Sequence, residues 1–137
     1  MLGFLFSKDT SKDQELSHQR RDAFDDHLNL HWQIKNAYKQ RNDDSTAIDK
    51  TISLCREQIK ISKDARAVWL RENKELGAHD NWLPDHLGFK QLGIILEKRG
   101  HFQEAINLAK EAQSQGWSGD WDMRIARCER KLLKAKS

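Results

Sequence analysis

Proline is nearly missing from this sequence, with Pro84 the only one in 137 residues. Because a proline inside a helix removes a backbone donor and clashes with the preceding turn, its scarcity leaves long stretches free to run as helix. Cysteine is almost as rare. Cys55 and Cys128 stand far apart without any CxxC spacing, which excludes a disulfide scaffold and predicts two reduced thiols in a cytoplasmic protein. No apolar run approaches the roughly 20 residues that a bilayer span requires. The apolar stretch Met1–Phe6 stops at Ser7-Lys8-Asp9, too short for a signal-peptide core and without a basic leader. Charge of one sign is missing as well: the net charge of +3 is too small to imply nucleic acid by itself. There is no phosphate-cradling glycine loop, no GxSxG elbow and no HExxH, so no enzyme, metal or cofactor is expected.

What is present is helical periodicity. With 37% apolar and 33% charged residues, the chain fits one all-α domain that buries about two thirds of its unfolded surface. From about residue 12 to 40 there is no Gly or Pro, and Phe24, His27, His31, Ile34 and Tyr38 fall on one stripe, which predicts one long helix or two nearly collinear ones. Asn42-Asp43-Asp44-Ser45 supplies turn and N-cap chemistry. Ile48, Ile52, Cys55 and Ile59 then mark a second helix. A third is expected from about 63 to 77, closed by Gly77, unless it continues the second. Pro84 is expected as the first residue of the next helix, where its missing N–H costs nothing. The last helix should begin near Asp120 and run to about 135, with Ile125, Cys128, Leu132 and Leu133 inward and Arg124, Arg127, Lys131 and Lys134 on a solvated face.

Residues 86 to 119 carry the most specific pattern. Phe89, Leu92, Gly93 and Leu96 are followed by Gly100, Phe102, Ala105, Ala109 and Ala112. This spacing resembles the tetratricopeptide repeat, a helix-turn-helix that must stack on neighbours to bury its apolar side. Gly93 would remove a side chain where the paired helix crosses, so Gly93→Leu is expected to overpack and cost about 1 to 3 kcal/mol. Gly100 sits where a left-handed C-cap is wanted. Setting Ala47 beneath Ala105 brings Ile34 beneath Leu92, Tyr38 beneath Leu96 and Asn42 beneath Gly100, which reads as a degenerate first repeat. The resulting division is a flexible segment 1–11 and a single domain 12–137. Within it lie a degenerate repeat at about 28–61, an inserted helix at about 63–77, a clear repeat at 86–119 and a capping helix at 120–135. The C-terminal run, including Gly116-Trp117 and Gly119-Asp120-Trp121, is also similar to small uncharacterised bacterial tetratricopeptide proteins. That resemblance implies a short antiparallel helical solenoid, a cytoplasmic bacterial setting and an interaction role.

In such repeats ligands lie along the concave face made by the first helix of each pair. The resemblance places Trp32, Asn36, Lys39 and Gln40 there from the first repeat, Lys90, Ile94 and Lys98 from the second, and Arg124 and Lys131 from the last helix. This set would offer an aromatic platform, one amide and several cations to an acidic protein or peptide. Two other readings stand beside it: nucleic-acid binding through the basic residues 124–136, and self-association into a homodimer through the first helix and Met1–Phe6. His27 and His31 share a helix face and could ligate a metal, as could His79, Asp80, Asp85 and His86 around Pro84. Packing for the first pair and loop or N-cap duty for the second group are the favoured readings.

Overall fold

A computed structural model describes residues 23–77 and 81–137. The expectations for segment 1–11, for the helix start near residue 12, for Met1–Phe6 and for His79 and Asp80 lie outside those residues. Six helices make up 78% of what is described, and no strand occurs among the described residues beyond a single parallel bridge between Asp85 and Ser118. Helix α1 covers 23–39, α2 Ala47–Lys60, α3 Ser62–Glu75, α4 Leu87–Lys98, α5 Phe102–Gln115 and α6 Trp121–Lys136.

α4 is the middle of the molecule. It packs on α2 along one side and on α5 along another, and α5 in turn packs on α6. Gly88, Phe89, Gln91, Leu92, Ile95 and Leu96 are all buried, so only one edge of this helix meets water. One apolar cluster joins Ile34 of α1, Cys55 of α2, Leu92 and Leu96 of α4, Ile106 of α5 and Cys128 of α6. A second gathers Leu83, Phe89, Ala112, Trp117 and Trp121 around the end of α5. Each large side chain removed from water here contributes about 1.5 to 3 kcal/mol.

Local chemistry explains the boundaries. After α4, Gly100 takes φ +79°, and the N–H groups of Gly100 and His101 donate back to the carbonyls of Glu97 and Leu96 at 3.0 and 2.8 Å. These two bonds satisfy the last orphan carbonyls of the helix. Gly116 ends α5 in the same way, with φ +89° and Trp117 N–H donating to Ala112 O at 3.2 Å. The first hairpin is built differently. No residue other than glycine has positive φ among the described residues, so Asn42 does not copy Gly100. Instead the Asp44 carboxylate accepts from the N–H and hydroxyl of Thr46 at 2.9 and 2.7 Å, and this bonding holds its pKa below the ordinary value. α2 and α3 are separate helices that break at Ile61.

Several expectations are corrected. Pro84 does not open α4; His86 is the N-cap, and its Nδ1 accepts from Phe89 N–H at 3.1 Å. Asp120 precedes α6 as expected, but its carboxylate accepts from Arg124 at 2.6 Å and makes no capping bond. Leu133 is exposed, not inward. Gly93 is not the site of close approach: a Cβ there would meet nothing within 4 Å. That role belongs to Gly88, where a Cβ would lie 2.8 Å from Gln58 Oε1 and 3.1 Å from the Cys55 carbonyl.

Gly88 stands there because Gln58 does. The wholly buried Gln58 side chain donates through Nε2 to the His27 carbonyl of α1 at 2.9 Å and accepts through Oε1 from the Gly88 N–H of α4 at 2.7 Å. One amide of α2 thus ties α1 to α4 and satisfies an orphan donor of the α4 first turn. Two outcomes follow for denaturant unfolding. Gly88→Ala should cost about 1 to 3 kcal/mol, since backbone cannot yield as a side-chain tip can. Gly93→Ala should be neutral or stabilise by up to about 1 kcal/mol, as expected for glycine in a helix interior. The opposite ranking would show that α4 is rotated from the position described.

Candidate binding site

α1 and the start of α4 do not close against one another along their whole length, and a cleft of about 390 Å³ remains between them. Lys35 and Lys39, four residues apart, project from one face of α1, Arg41 follows in the turn, and Lys90 comes from α4. Among the described residues Asp85 is the single acid on its wall. Tyr38 forms an aromatic side of the cleft: the Arg41 guanidinium lies 4.2 Å from its ring centre, and Lys98 Nζ is 3.3 Å from its hydroxyl. Gln91 forms part of the floor. It is 8% exposed, and its Nε2 makes no hydrogen bond within the described residues. The arrangement is a basic recess with a spare amide donor, suited to an anionic group.

A second cleft of about 440 Å³ adjoins it, with His31 and Asp85 in the walls of both. Its surface is aromatic. Trp32 is 57% exposed and Trp82 59% exposed, with Leu28 beside them. Trp82 is held from behind, because Trp69 Nε1 donates to its carbonyl at 3.0 Å and the two rings stand 5.9 Å apart. Lys35 Nζ lies 5.4 Å from the Trp32 ring centre, so the basic and aromatic parts meet. The Asp85 backbone is fixed by its bridge to Ser118, whose N–H donates to Pro84 O at 3.2 Å and whose hydroxyl bonds the Leu83 carbonyl.

Behind both clefts lies a layer of buried imidazoles. His27 and His86 are 3% and 1% exposed, their ring centres are 5.1 Å apart, and both pack against Trp117. Burial, then the charge of His31, pushes His27 down to about 4. Burial, then the charge of His27, pushes His86 down to about 3. His31 is lowered by partial burial and by Lys35. Both buried rings are therefore neutral at pH 7, as packed histidines. Among the described residues no group of three His, Cys, Asp or Glu is placed to hold a metal ion. Cys55 is inert for a related reason, since burial raises its thiol to about 12.

The nine residues singled out from the sequence are divided by the fold. Lys39 and Lys90 share the basic cleft, Trp32 lies in the adjoining aromatic one, and Lys98 stands beside Tyr38. Asn36 and Gln40 face a different cleft against α2, with Asp44 and Lys50. Ile94 is half-buried on α4 and lines no cleft described here. Arg124 and Lys131 are committed to ion pairs, the first with Asp120 and the second with Glu97 at 2.6 Å. Burial raises the Asp120 carboxyl, but its hydrogen bond and ion pair with Arg124 outweigh this and hold it below the ordinary value. Lys35, Arg41, Asp85 and Gln91 were not singled out as ligand contacts. The spacing of Lys35 and Lys39 was a usable signal for the first of these; the others become neighbours only through the packing of α1 on α4.

Compared with family models, curated proteins and solved structures, the chain finds no match in any of the three. No helix among the described residues is long and apolar enough to cross a membrane.

The imidazole layer predicts an acid response. A histidine with a depressed folded pKa takes up a proton more readily when unfolded, so its stabilising contribution is full above about 6.5 and is lost as pH falls toward the folded value. For His27 and His86 that window runs from about 6.5 down to about 4 and about 3. Each ring should remove up to about 1.4 kcal/mol per pH unit within it. Arg127, then Lys131, holds Glu97 near 2, so the slope from this carboxylate lies mainly below about 4.5. His86→Asn keeps a capping acceptor without the titration, and chemical denaturation at pH 7, 6 and 5 should show a shallower loss than in the parent protein. An unchanged slope would remove His86 from the acid response.

Proposed function

We propose that the chain is an interaction module of the tetratricopeptide type that takes an acidic protein segment in the cleft between α1 and α4. The observation that carries this is the convergence of Lys35, Lys39, Arg41 and Lys90 on one recess, with Asp85 the single acid there among the described residues. Carboxylates placed there would gain charge-assisted hydrogen bonds, and the unpaired Gln91 amide would gain an acceptor. The order of the helices supports the repeat reading: α2 packs on α4, α4 on α5 and α5 on α6, with glycine caps ending both α4 and α5. In this reading α1, α4 and α6 form the ligand-facing row and α3 is the insertion.

The alternative of nucleic-acid binding through α6 has less support. Arg124, Arg127 and Lys131 are spent on Asp120 and Glu97, which reduces the charge available to phosphates.

Titration with a fluorescein-labelled oligoglutamate peptide tests the proposal. Exposed charge pairs are screened over about 8 to 10 Å at physiological salt, so binding should weaken as salt rises. Lys90→Glu should weaken it about tenfold or more, and Asp85→Asn should strengthen it. Equal binding by the parent protein and Lys90→Glu would sink the assignment of this cleft.

A further inference from the structure

The acidic-segment reading leaves the aromatic cleft unexplained, although it shares His31 and Asp85 with the basic one. We infer that the partner is bipartite: one large apolar side chain seated between Trp32 and Trp82, then an uncharged residue over Asp85, then the acidic residues among the lysines. This inference rests on the proposed function and adds to it the order of chemistry along the groove.

Three observations fix that order. Trp32 and Trp82 are the two tryptophans left more than half exposed among the described residues, and they come from different elements, α1 and the loop before α4. Large aromatic surfaces held toward water next to a polar recess are the usual anchors of recognition. Trp82 is also held in place, by the Trp69 bond to its carbonyl, so the anchor surface does not have to be ordered on binding. Second, His31 and Asp85 lie in the walls of both clefts, which makes them the junction. Third, charge is uneven across that junction, with the cations lining the basic cleft and one acid at the junction itself. Among the described residues Asp85 is the single acid in either wall, while Lys39, Arg41 and Lys90 line the basic cleft alone and Lys35 extends from it to within 5.4 Å of the Trp32 ring centre. An acidic residue opposite Asp85 would meet like charge, whereas one step further it would meet cations. The groove therefore rejects an unbroken acidic run that starts at the anchor, and it selects by repulsion as well as attraction.

Three labelled peptides of five residues separate the possibilities: phenylalanine-asparagine followed by three glutamates; the same with alanine for phenylalanine; and phenylalanine followed directly by three glutamates, then asparagine. The first should bind about tenfold tighter than the second, the effect of losing one hot-spot contact. It should also bind several-fold tighter than the third. Trp32→Ala should erase the difference between the first two, and because Trp32 is exposed the helical circular dichroism should be unchanged. Asp85→Asn should erase the difference between the first and third. If the peptides bind with sensitivity to Lys90→Glu but the parent protein treats all three alike, the bipartite order is wrong and the acidic-segment reading stands. If none binds at low salt, the reading beneath it fails too.

Discussion

One buried amide sets the spacing on which the rest of the molecule depends. Gln58 is inserted between α1 and α4, with its donor spent on the His27 carbonyl and its acceptor on the Gly88 N–H. Each bond contributes only about 0.5 to 1.5 kcal/mol net. Their removal would cost more, because two backbone groups in a dry interior would lose their partners. The geometry also constrains sequence. A Cβ at position 88 would lie 2.8 Å from the hydrogen-bonded Gln58 Oε1 and 3.1 Å from the Cys55 carbonyl, and the next N–H of that turn, Phe89, is met by His86. Gln58, Gly88 and His86 thus form one unit that starts α4 at a fixed height and rotation against α1 and α2.

Charge is arranged around this frame so that three cations of α6, Arg124, Arg127 and Lys131, are paired with acids, whereas Lys35, Lys39 and Lys90 line an open recess. Arg127 donates twice to Glu97, at 2.7 and 2.8 Å, and Lys131 adds a third bond at 2.6 Å. Bidentate geometry of this kind is stronger than an ordinary surface pair, and it pins the exposed edge of α4 to α6. Elsewhere, Lys35, Lys39 and Lys90 face a recess in which Asp85 is the sole acid among the described residues. A modest net charge therefore conceals a local excess. The whole-chain figure of +3 was a poor guide to partner chemistry, because it does not show that four cations line one recess.

How much of this was legible follows from what each feature depends on. Gly100 and Gly116 announced themselves because positive φ at a helix end is a local demand that glycine alone meets freely. The burial of Phe89, Leu92 and Leu96 was legible from spacing, which fixes a helical face. Spacing does not fix what that face meets, and this is why Gly93 was taken for the crossing point in place of Gly88, five residues earlier. Gln58 was invisible because a glutamine on a helix reads as solvated, and only the approach of two other helices makes it interior. His86 takes the N-cap duty expected of its cluster, but Pro84 does not open the helix, because the bridge from Asp85 to Ser118 holds the segment extended past it. The candidate site was legible in kind, as aromatic and basic, but only partly in membership. Lys90 and Lys39 meet, while Asn36 and Gln40 turn toward α2, since residues one position apart on a helix lie about 100° around its axis.

The recess and the frame are not independent. The cleft is the gap left where α1 and α4 diverge, and its width is set by the same contacts that seat Gln58 and the His27–His86 layer behind it. Anything that shifts α1 against α4 moves Lys35 and Lys39 relative to Lys90, and a displacement of about 1 Å is a large fraction of hydrogen-bonding tolerance. The imidazole layer is the weakest part of this support at low pH, because its rings are buried neutral and without full hydrogen bonding. Acid would thus act on the groove from behind as well as on any carboxylates within it. Neutral packed histidines provide shape without charge at pH 7, leaving the sign of the potential at the recess to the lysines in front.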